Sequence, residues 1–126
     1  GYQAAILSRL AARVISIERI PALAHAAQAA LAKLEVRNVE FYLGDGTCGR
    51  PEDAPFEAIV VTAGGPEVPR PLLEQLTLGG RLVGPFGPRD AQQLLRIQRT
   101  GEASFTQEVL GRCDFVDLVG RNGWLP

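Results

Sequence analysis

The run "FEAIVV", Phe56 to Val61, limits most sharply the folds open to this chain. Its apolar core is continuous instead of alternating, which is the pattern of a parallel strand covered on both faces. "RLVGPFG", from Arg81, reads as a second buried strand. Strands of that kind need covering layers, and the segments between and before them supply helical patterns. "YQAAILSRLAA" sets Ala4 or Ala5, Ile6, Leu7, Leu10 and Ala11 at helical spacing, and "RVISIE" follows in β-favouring residue types. "IPALAHAAQAALAKL" has Pro21 suited to a first helical turn and an apolar stripe of Leu23, Ala27, Ala30, Leu31 and Leu34, expected to pack on a sheet.

"NVEFYL" is a short strand that runs into the glycine-rich turn Gly44 to Gly49. After "FEAIVV", "PRPLLEQLTLGG" reads as a short helix closed by glycine. From Gln92 the pattern changes: "QQLLRIQRT" and "SFTQEVLGR" partly alternate around Thr100, Gly101 and Glu102, which predicts an antiparallel hairpin. The order α, β, α, β, β, α, β and a hairpin describes an α/β layer fold, a mostly parallel sheet with an antiparallel C-terminal edge. With no linker or repeat, residues 1–126 count as one domain, divided into a cofactor-binding part, 1–90, and the hairpin and tail, 91–126.

Thirteen Lys and Arg against fourteen Asp and Glu give no basic stripe, so nucleic acid is not an expected partner. Cys48 and Cys113 are too few for a disulfide framework and lack zinc-ligand spacing, which points to a reducing compartment, the cytoplasm, and to no metal. No apolar run approaches the roughly 18 residues of a bilayer span, so no membrane role is expected. The chain has no methionine and begins at Gly1, the mark of a processed, truncated or partial chain.

Chemistry is most visible in "GDGT", Gly44 to Thr47, which places a carboxylate between two glycines at the end of an apolar run. Glycine permits φ > 0 and close approach of a ligand, and ligands of open α/β sheets bind at the carboxyl ends of strands. A turn that only reverses the chain explains the same residues. Glu18 ends another predicted strand about seventeen positions after Gly1, the spacing at which an acid grips ribose hydroxyls in Rossmann-like sites. It equally suits a solvated carboxylate at the positive end of the next helix. Two carboxylates at consecutive strand ends fit an adenosine better than a triphosphate, whose charge they would repel.

"GYQAAILSRL", "VISIERIPALA", the long segment from Asn38 through "GDGTCGRPEDAPFEAIVVTAGGPEVP" to "GGRLVGPFG", and "FVDLVG" together resemble the protein-L-isoaspartate O-methyltransferases over nearly the whole chain. The resemblance implies a Rossmann-like methyltransferase fold, S-adenosylmethionine as cofactor, and methyl transfer to the α-carboxylate of isoaspartyl residues in damaged proteins and peptides. That carboxylate is ionised at neutral pH and attacks the methyl group in line, so positioning and exclusion of water carry the catalysis. The ester then closes to a succinimide, the route of repair. Gly1 matches the last glycine of the family's G-x-G-S-G-Y-Q loop. Glu18 matches the acid on the ribose, Arg19 lies beside the adenosine, and Asp45 with Gly46 matches the pair at the adenine, with Thr47 next to it. Val119 matches a tail position near the cofactor, and Asp117 stands where the family usually has proline.

No catalytic residue is expected within this chain, because the family's Ser/Thr-bearing acceptor segment and the strand before the glycine loop lie upstream. The implied sheet order is 3-2-1-4-5-7-6, with strand 1 the missing one between "RVISIE" and "FEAIVV". Ile15 and Val60 would then face a slot about 10 Å wide, two interstrand spacings, and the isolated chain would be unstable or self-associating and inactive. A methyltransferase of the same fold with another acceptor, and a noncatalytic cofactor-binding or interaction domain, are the alternative readings. His25 in its Ala-rich helix and Cys48 in its turn read as packing or surface residues, and Trp124 as packing of a loose tail.

Overall fold

The computed structural model describes residues Gly1–Pro126, which form two compact units, Gly1–Gly46 and Thr47–Pro126. In the first, helix α1 (Tyr2–Ser8) leads to strand β1 (Val14–Glu18), helix α2 (Pro21–Lys33) and strand β2 (Val39–Leu43). α1 is shorter than its apolar spacing predicts, because Asn38 takes over its exit: Asn38 Nδ2 donates to the carbonyls of Ser8 at 2.8 Å and Ala11 at 3.0 Å. α2 starts with Pro21 at its first turn and ends with Glu35 at φ 57°, where Val36 N–H reaches back to Leu31 O at 3.1 Å. That is a left-handed helix terminus built without glycine.

β1 and β2 pair in parallel, Val14 opposite Val39 and Glu18 opposite Leu43. This is the arrangement expected of two strands joined by a crossover helix. Of the apolar residues here, only Ala4, Val14 and Leu31 are buried. α2 packs on β1 and β2 as its stripe predicts, seated through Leu31 at 3% exposed, while Leu23 and Leu34 at the two ends of the stripe stay 53% and 63% exposed.

The second unit holds β3 (Phe56–Val60), helix α3 (Arg70–Glu74), β4 (Leu76–Phe86), β5 (Gln93–Arg99) and β6 (Phe105–Arg112). β3 pairs with β4 in parallel, and β4, β5 and β6 follow antiparallel. The hairpin is where the alternation places it. The order β3-β4-β5-β6 corrects the implied 4-5-7-6, in which the last strand would separate β4 from β5. The short turn after β4 leaves Gln93 directly opposite Phe86, so consecutive strands become neighbours.

The helix before β4 also differs from its reading. α3 ends at Glu74, and Gly79 and Gly80 lie inside β4. Phe56 faces Leu76 while Ala58 faces Arg81, so the intervening residues of β4 bulge, with Gly79 at φ 80°. Arg99 ties this irregular edge down, donating to the carbonyls of Leu76 at 2.6 Å and Glu102 at 2.6 Å. The core lies here: Leu72, Leu76, Leu82, Phe86, Leu95 and Ile97 are buried together, with Ile59, Val61 and Leu118 packed on them. No helix is long and apolar enough to cross a membrane.

β1 is laddered only to β2, and β3 only to β4. Val14 N–H bonds Asn38 O and Glu18 O accepts Gly44 N–H, so by alternation Ile15 and Ile17 direct their backbone groups away from β2. In β3, Val61 N–H bonds Val83 O of β4, so Ala58 and Val60 direct theirs away from it. Open apolar edges are templates for pairing with another chain, and a unit with so few buried residues has little core of its own. Residues Gly1–Pro126 expressed alone are therefore expected to self-associate or to unfold without a sharp transition. Solution mass and thermal unfolding check this, and a monomer with one cooperative transition would show that the open edges need no partner.

Candidate functional site

Parallel pairing aligns the carboxyl ends of β1 and β2. Glu18 is the last residue of β1, its carbonyl accepts Gly44 N–H at 3.0 Å, and the chain then passes through Asp45 into a short 3-10 turn, Gly46–Cys48. The strand ends thus bring Glu18 and the Gly44–Gly46 turn to one edge of the sheet, the edge at which open α/β folds take their ligands.

Glu18 Oε1 accepts the backbone N–H of Ile20, the N-cap position of α2, at 3.0 Å. Both readings of this residue therefore meet in one side chain. The carboxylate serves the helix entry, and because it offers about four lone-pair sites it retains capacity for hydroxyl groups of a ligand. Gly1 and Glu18 line the same hollow of about 540 Å³, whose wall includes Tyr2, Leu23, Ala27 and Phe41. Asp45 and Gly46 do not line it, although they follow the neighbouring strand end. Arg19 is exposed in the bend after β1 and lines no part of it.

The glycines divide by cause. A Cβ at Gly1 would lie 2.9 Å from Leu31 Cδ1 and 3.3 Å from Ala27 Cα, so a side chain there would make the Leu31 tip shift and crowd α2. Gly49 has φ 66°, and a Cβ would lie 2.2 Å from Gln75 Oε1. At Gly44 and Gly46 neither cause applies, because φ is not in the left-handed region and nothing lies within 4 Å of a Cβ. Neither backbone strain nor a close neighbour within the chain accounts for glycine in this turn.

Thr47 is fully buried, and its Oγ1 accepts Asn122 N–H at 3.0 Å, so its hydroxyl is committed to the tail. Cys48 is half-buried, its carbonyl accepting Gln75 Nε2 at 2.9 Å. His25 is exposed on α2. The tail is not loose. Trp124 Nε1 donates to Gly64 O at 2.9 Å, and the Arg89 guanidinium lies 4.0 Å above the indole. Arg89 also holds Asp117 through Nε at 2.9 Å and Nη2 at 2.8 Å. That hydrogen bond raises the Arg89 pKa above its ordinary value, against the opposing pull of desolvation. Asp117 thus gives its segment a fixed place by a charged pair. Val119 is half-buried and bridges to Trp124. Gln75 and Gln92, both buried, were not picked out by the sequence, since a glutamine in a helix end or strand end carries no spacing signal.

The family model described as Protein-L-isoaspartate(D-aspartate) O-methyltransferase (PCMT) matches residues 1–123. The chain belongs to this family. A protein-L-isoaspartate O-methyltransferase of Syntrophotalea carbinolica is 52% identical over 124 residues, 98% of this chain and 57% of that protein. One of Syntrophus aciditrophicus is 51% identical over 126 residues, 98% of this chain and 58% of that protein. The chain therefore spans somewhat over half the length of these curated relatives. A solved protein-L-isoaspartate O-methyltransferase superposes with a TM-score of 0.89 at 30% identity, over 98% of this chain and 40% of that one. A Plasmodium falciparum structure described as a putative member, in complex with S-adenosyl-L-homocysteine, gives 0.74 at 23% identity, over 85% of this chain and 52% of that one, and shares the fold. The α/β architecture is thus the Rossmann-like one of protein-L-isoaspartate O-methyltransferases.

The division among glycines is measurable by chemical denaturation of the full-length protein. Gly49→Ala is expected to cost about 2–4 kcal/mol, from left-handed backbone strain plus disturbed bonds of a buried amide. Gly46→Ala is expected to change stability by no more than about 0.5 kcal/mol, as for a surface site without contacts.

Proposed function

We propose that the protein is an S-adenosylmethionine-dependent carboxyl O-methyltransferase that methylates the α-carboxylate of L-isoaspartyl residues, and so starts the repair of damaged proteins. The observation that carries the reading is the strand-end pair: Glu18 beside a Gly-Asp-Gly turn whose glycines have open space where a side chain would be. Family membership over residues 1–123 supplies the substrate class.

The residues fit the cofactor. Glu18 would hold ribose hydroxyls, Asp45 with Gly46 would border the adenine, Arg19 would lie beside the adenosine, and Gly1 would belong to the phosphate-free glycine loop. S-adenosylmethionine supplies a methyl group on a sulfonium centre, which needs no metal. The acceptor carboxylate is itself the nucleophile, so this chain is asked for no general base. Its task is to orient the cofactor and keep water out, the effects that dominate when the reactants already carry the right charges. The acceptor-contacting Ser/Thr segment is assigned to a part of the protein outside Gly1–Pro126, and these residues alone are expected to transfer no methyl group. Two free cysteines support work in a reducing cytoplasm.

Glu18→Ala is expected to weaken binding of S-adenosyl-L-homocysteine by about 1.5–3 kcal/mol, the range for hydrogen bonds to a charged group. Glu18→Gln keeps an acceptor for Ile20 N–H and separates loss of the ligand from loss of the helix entry. Calorimetry on the full-length protein decides, and unchanged affinity in Glu18→Ala and Asp45→Ala would remove both assignments. The acceptor is tested with two peptides differing only in isoaspartate against aspartate at one position. Methyl transfer is expected to the first alone, since the displaced carboxylate alone meets the preorganised geometry. Equal transfer to both would point to the same fold with another acceptor.

A further inference from the structure

The backbone assigned above to the adenine, Asp45 with Gly46, is flanked in the chain by two hydrogen-bonded residues. Before it, Gly44 N–H donates to Glu18 O at 3.0 Å, at the end of the parallel pairing. After it stands Thr47, which is fully buried. Thr47 Oγ1 accepts the main-chain N–H of Asn122 at 3.0 Å, and Asn122 Nδ2 donates to Thr47 O at 3.4 Å and to Cys48 Sγ at 3.7 Å. Gly46–Cys48 is a single 3-10 turn. Hydrogen bonds inside so short a turn have poor geometry, so contacts from outside it carry much of its shape.

Asn122 is itself held. It sits in a turn closed by Gly123 N–H to Gly120 O at 3.1 Å, with Trp124 N–H bonded to Leu118 O at 2.8 Å and Gly120 N–H to Trp124 O at 3.0 Å. This loop also lies directly against Thr47: a Cβ at Gly123 would lie 3.3 Å from Thr47 Cγ2 and 2.2 Å from Leu118 O. The tail has its own anchor elsewhere. Gly64 N–H donates to Val116 O at 2.7 Å, and Gly64 O accepts Leu118 N–H at 2.8 Å and Trp124 Nε1–H at 2.9 Å. With the tail placed by Gly64, what the Asn122 bonds add is a hold on the turn that follows Asp45.

We propose that Asn122 is a positioning residue for the cofactor: from a tail anchored at Gly64 it holds Thr47, and so keeps the backbone of Asp45 and Gly46 in the shape that receives the adenine. The proposal rests on the assignment of S-adenosylmethionine to that turn. A backbone shaped in advance binds without first being ordered, so loosening it lowers affinity and leaves the chemical step alone. In the full-length protein, Thr47→Val keeps the volume and removes the acceptor, and Asn122→Ala removes the amide. Each is expected to weaken S-adenosyl-L-homocysteine binding about fivefold, the scale of one lost hydrogen bond, with kcat and KM for an isoaspartyl peptide within about twofold. Thr47→Ser keeps the hydroxyl and should return affinity to within about twofold of wild type. Amide hydrogen exchange at Asn122 should speed up in Thr47→Val and stay unchanged at Leu118, whose bond to Gly64 does not involve Thr47. Asn122→Ala carries the same affinity expectation should Thr47→Val not fold. Unchanged affinity in both variants overturns the positioning role, as does a Thr47→Ser variant as weak as Thr47→Val. Faster exchange at Leu118 in either variant also overturns it, because Asn122 would then be a support of the tail. Lost affinity in Glu18→Ala beside full affinity in these variants would leave the cofactor reading standing and remove this proposal alone. A wild-type protein that binds no S-adenosyl-L-homocysteine overturns that reading, and this proposal with it.

Discussion

Two buried side-chain amides hold together the irregular backbone on which the second unit depends. Strands end, and where they end their N–H and C=O groups must find partners or remain in water. Gln75 and Gln92 solve this in the same way. Gln75 accepts Arg50 N–H at 2.8 Å and donates to Cys48 O at 2.9 Å. Gln92 accepts Phe115 N–H and donates to Phe115 O. Each amide presents a donor and an acceptor side by side, as a neighbouring strand would, and each is packed against a glycine, Gly49 or Gly64, that has no room for a side chain. Replacing either amide would leave a buried donor or acceptor unpaired, which costs about 1–3 kcal/mol apiece and more than the bond itself is worth.

The first unit is organised by charge and backbone direction more than by burial. Parallel pairing sends both strands out at one edge, and the amide ends of α2 point back toward it. Glu18 lies where those two facts meet: last residue of β1, acceptor for the N-cap amide of α2, and wall of the hollow that also reaches Gly1. A helix entrance favours a negative charge nearby, so the carboxylate is held in place before any ligand arrives.

The order of elements was legible from periodicity alone, because continuous apolar runs, helical stripes and the alternation after Gln92 are signals spread over many residues. Single-residue punctuation was not. Gly79 and Gly80 look like a helix terminus and are a bulge in β4, since glycine marks any place where the backbone departs from the common regions and does not say which. The exchange of the last two strands is equally silent: a hairpin pattern specifies that β5 and β6 pair, and the neighbour of β4 is decided by the length of the preceding turn. The α2 stripe was legible as the side that meets β1 and β2, but spacing does not say how deeply each residue is buried, and only Leu31 is. Of the candidate site, Glu18 and the Gly44–Gly46 turn were visible as strand-end chemistry. The commitment of Thr47 to Asn122 and of Trp124 to Gly64 joins positions 75 and 60 residues apart, and no local pattern encodes such pairings.

What separates a ligand turn from an ordinary one is then a matter of exclusion by geometry. Gly1 is crowded by α2, Gly64 has no room beside the Gln92 amide, and Gly49 is set by both a neighbour and a left-handed backbone. Gly44 and Gly46 are forced by nothing within the chain. Glycine loses more conformational freedom on folding than any other residue, at such a turn a cost of no more than about 0.5 kcal/mol against alanine. Two glycines around one carboxylate therefore stand at the edge where parallel strands deliver their ends, with no contact or backbone strain of the chain's own to account for them.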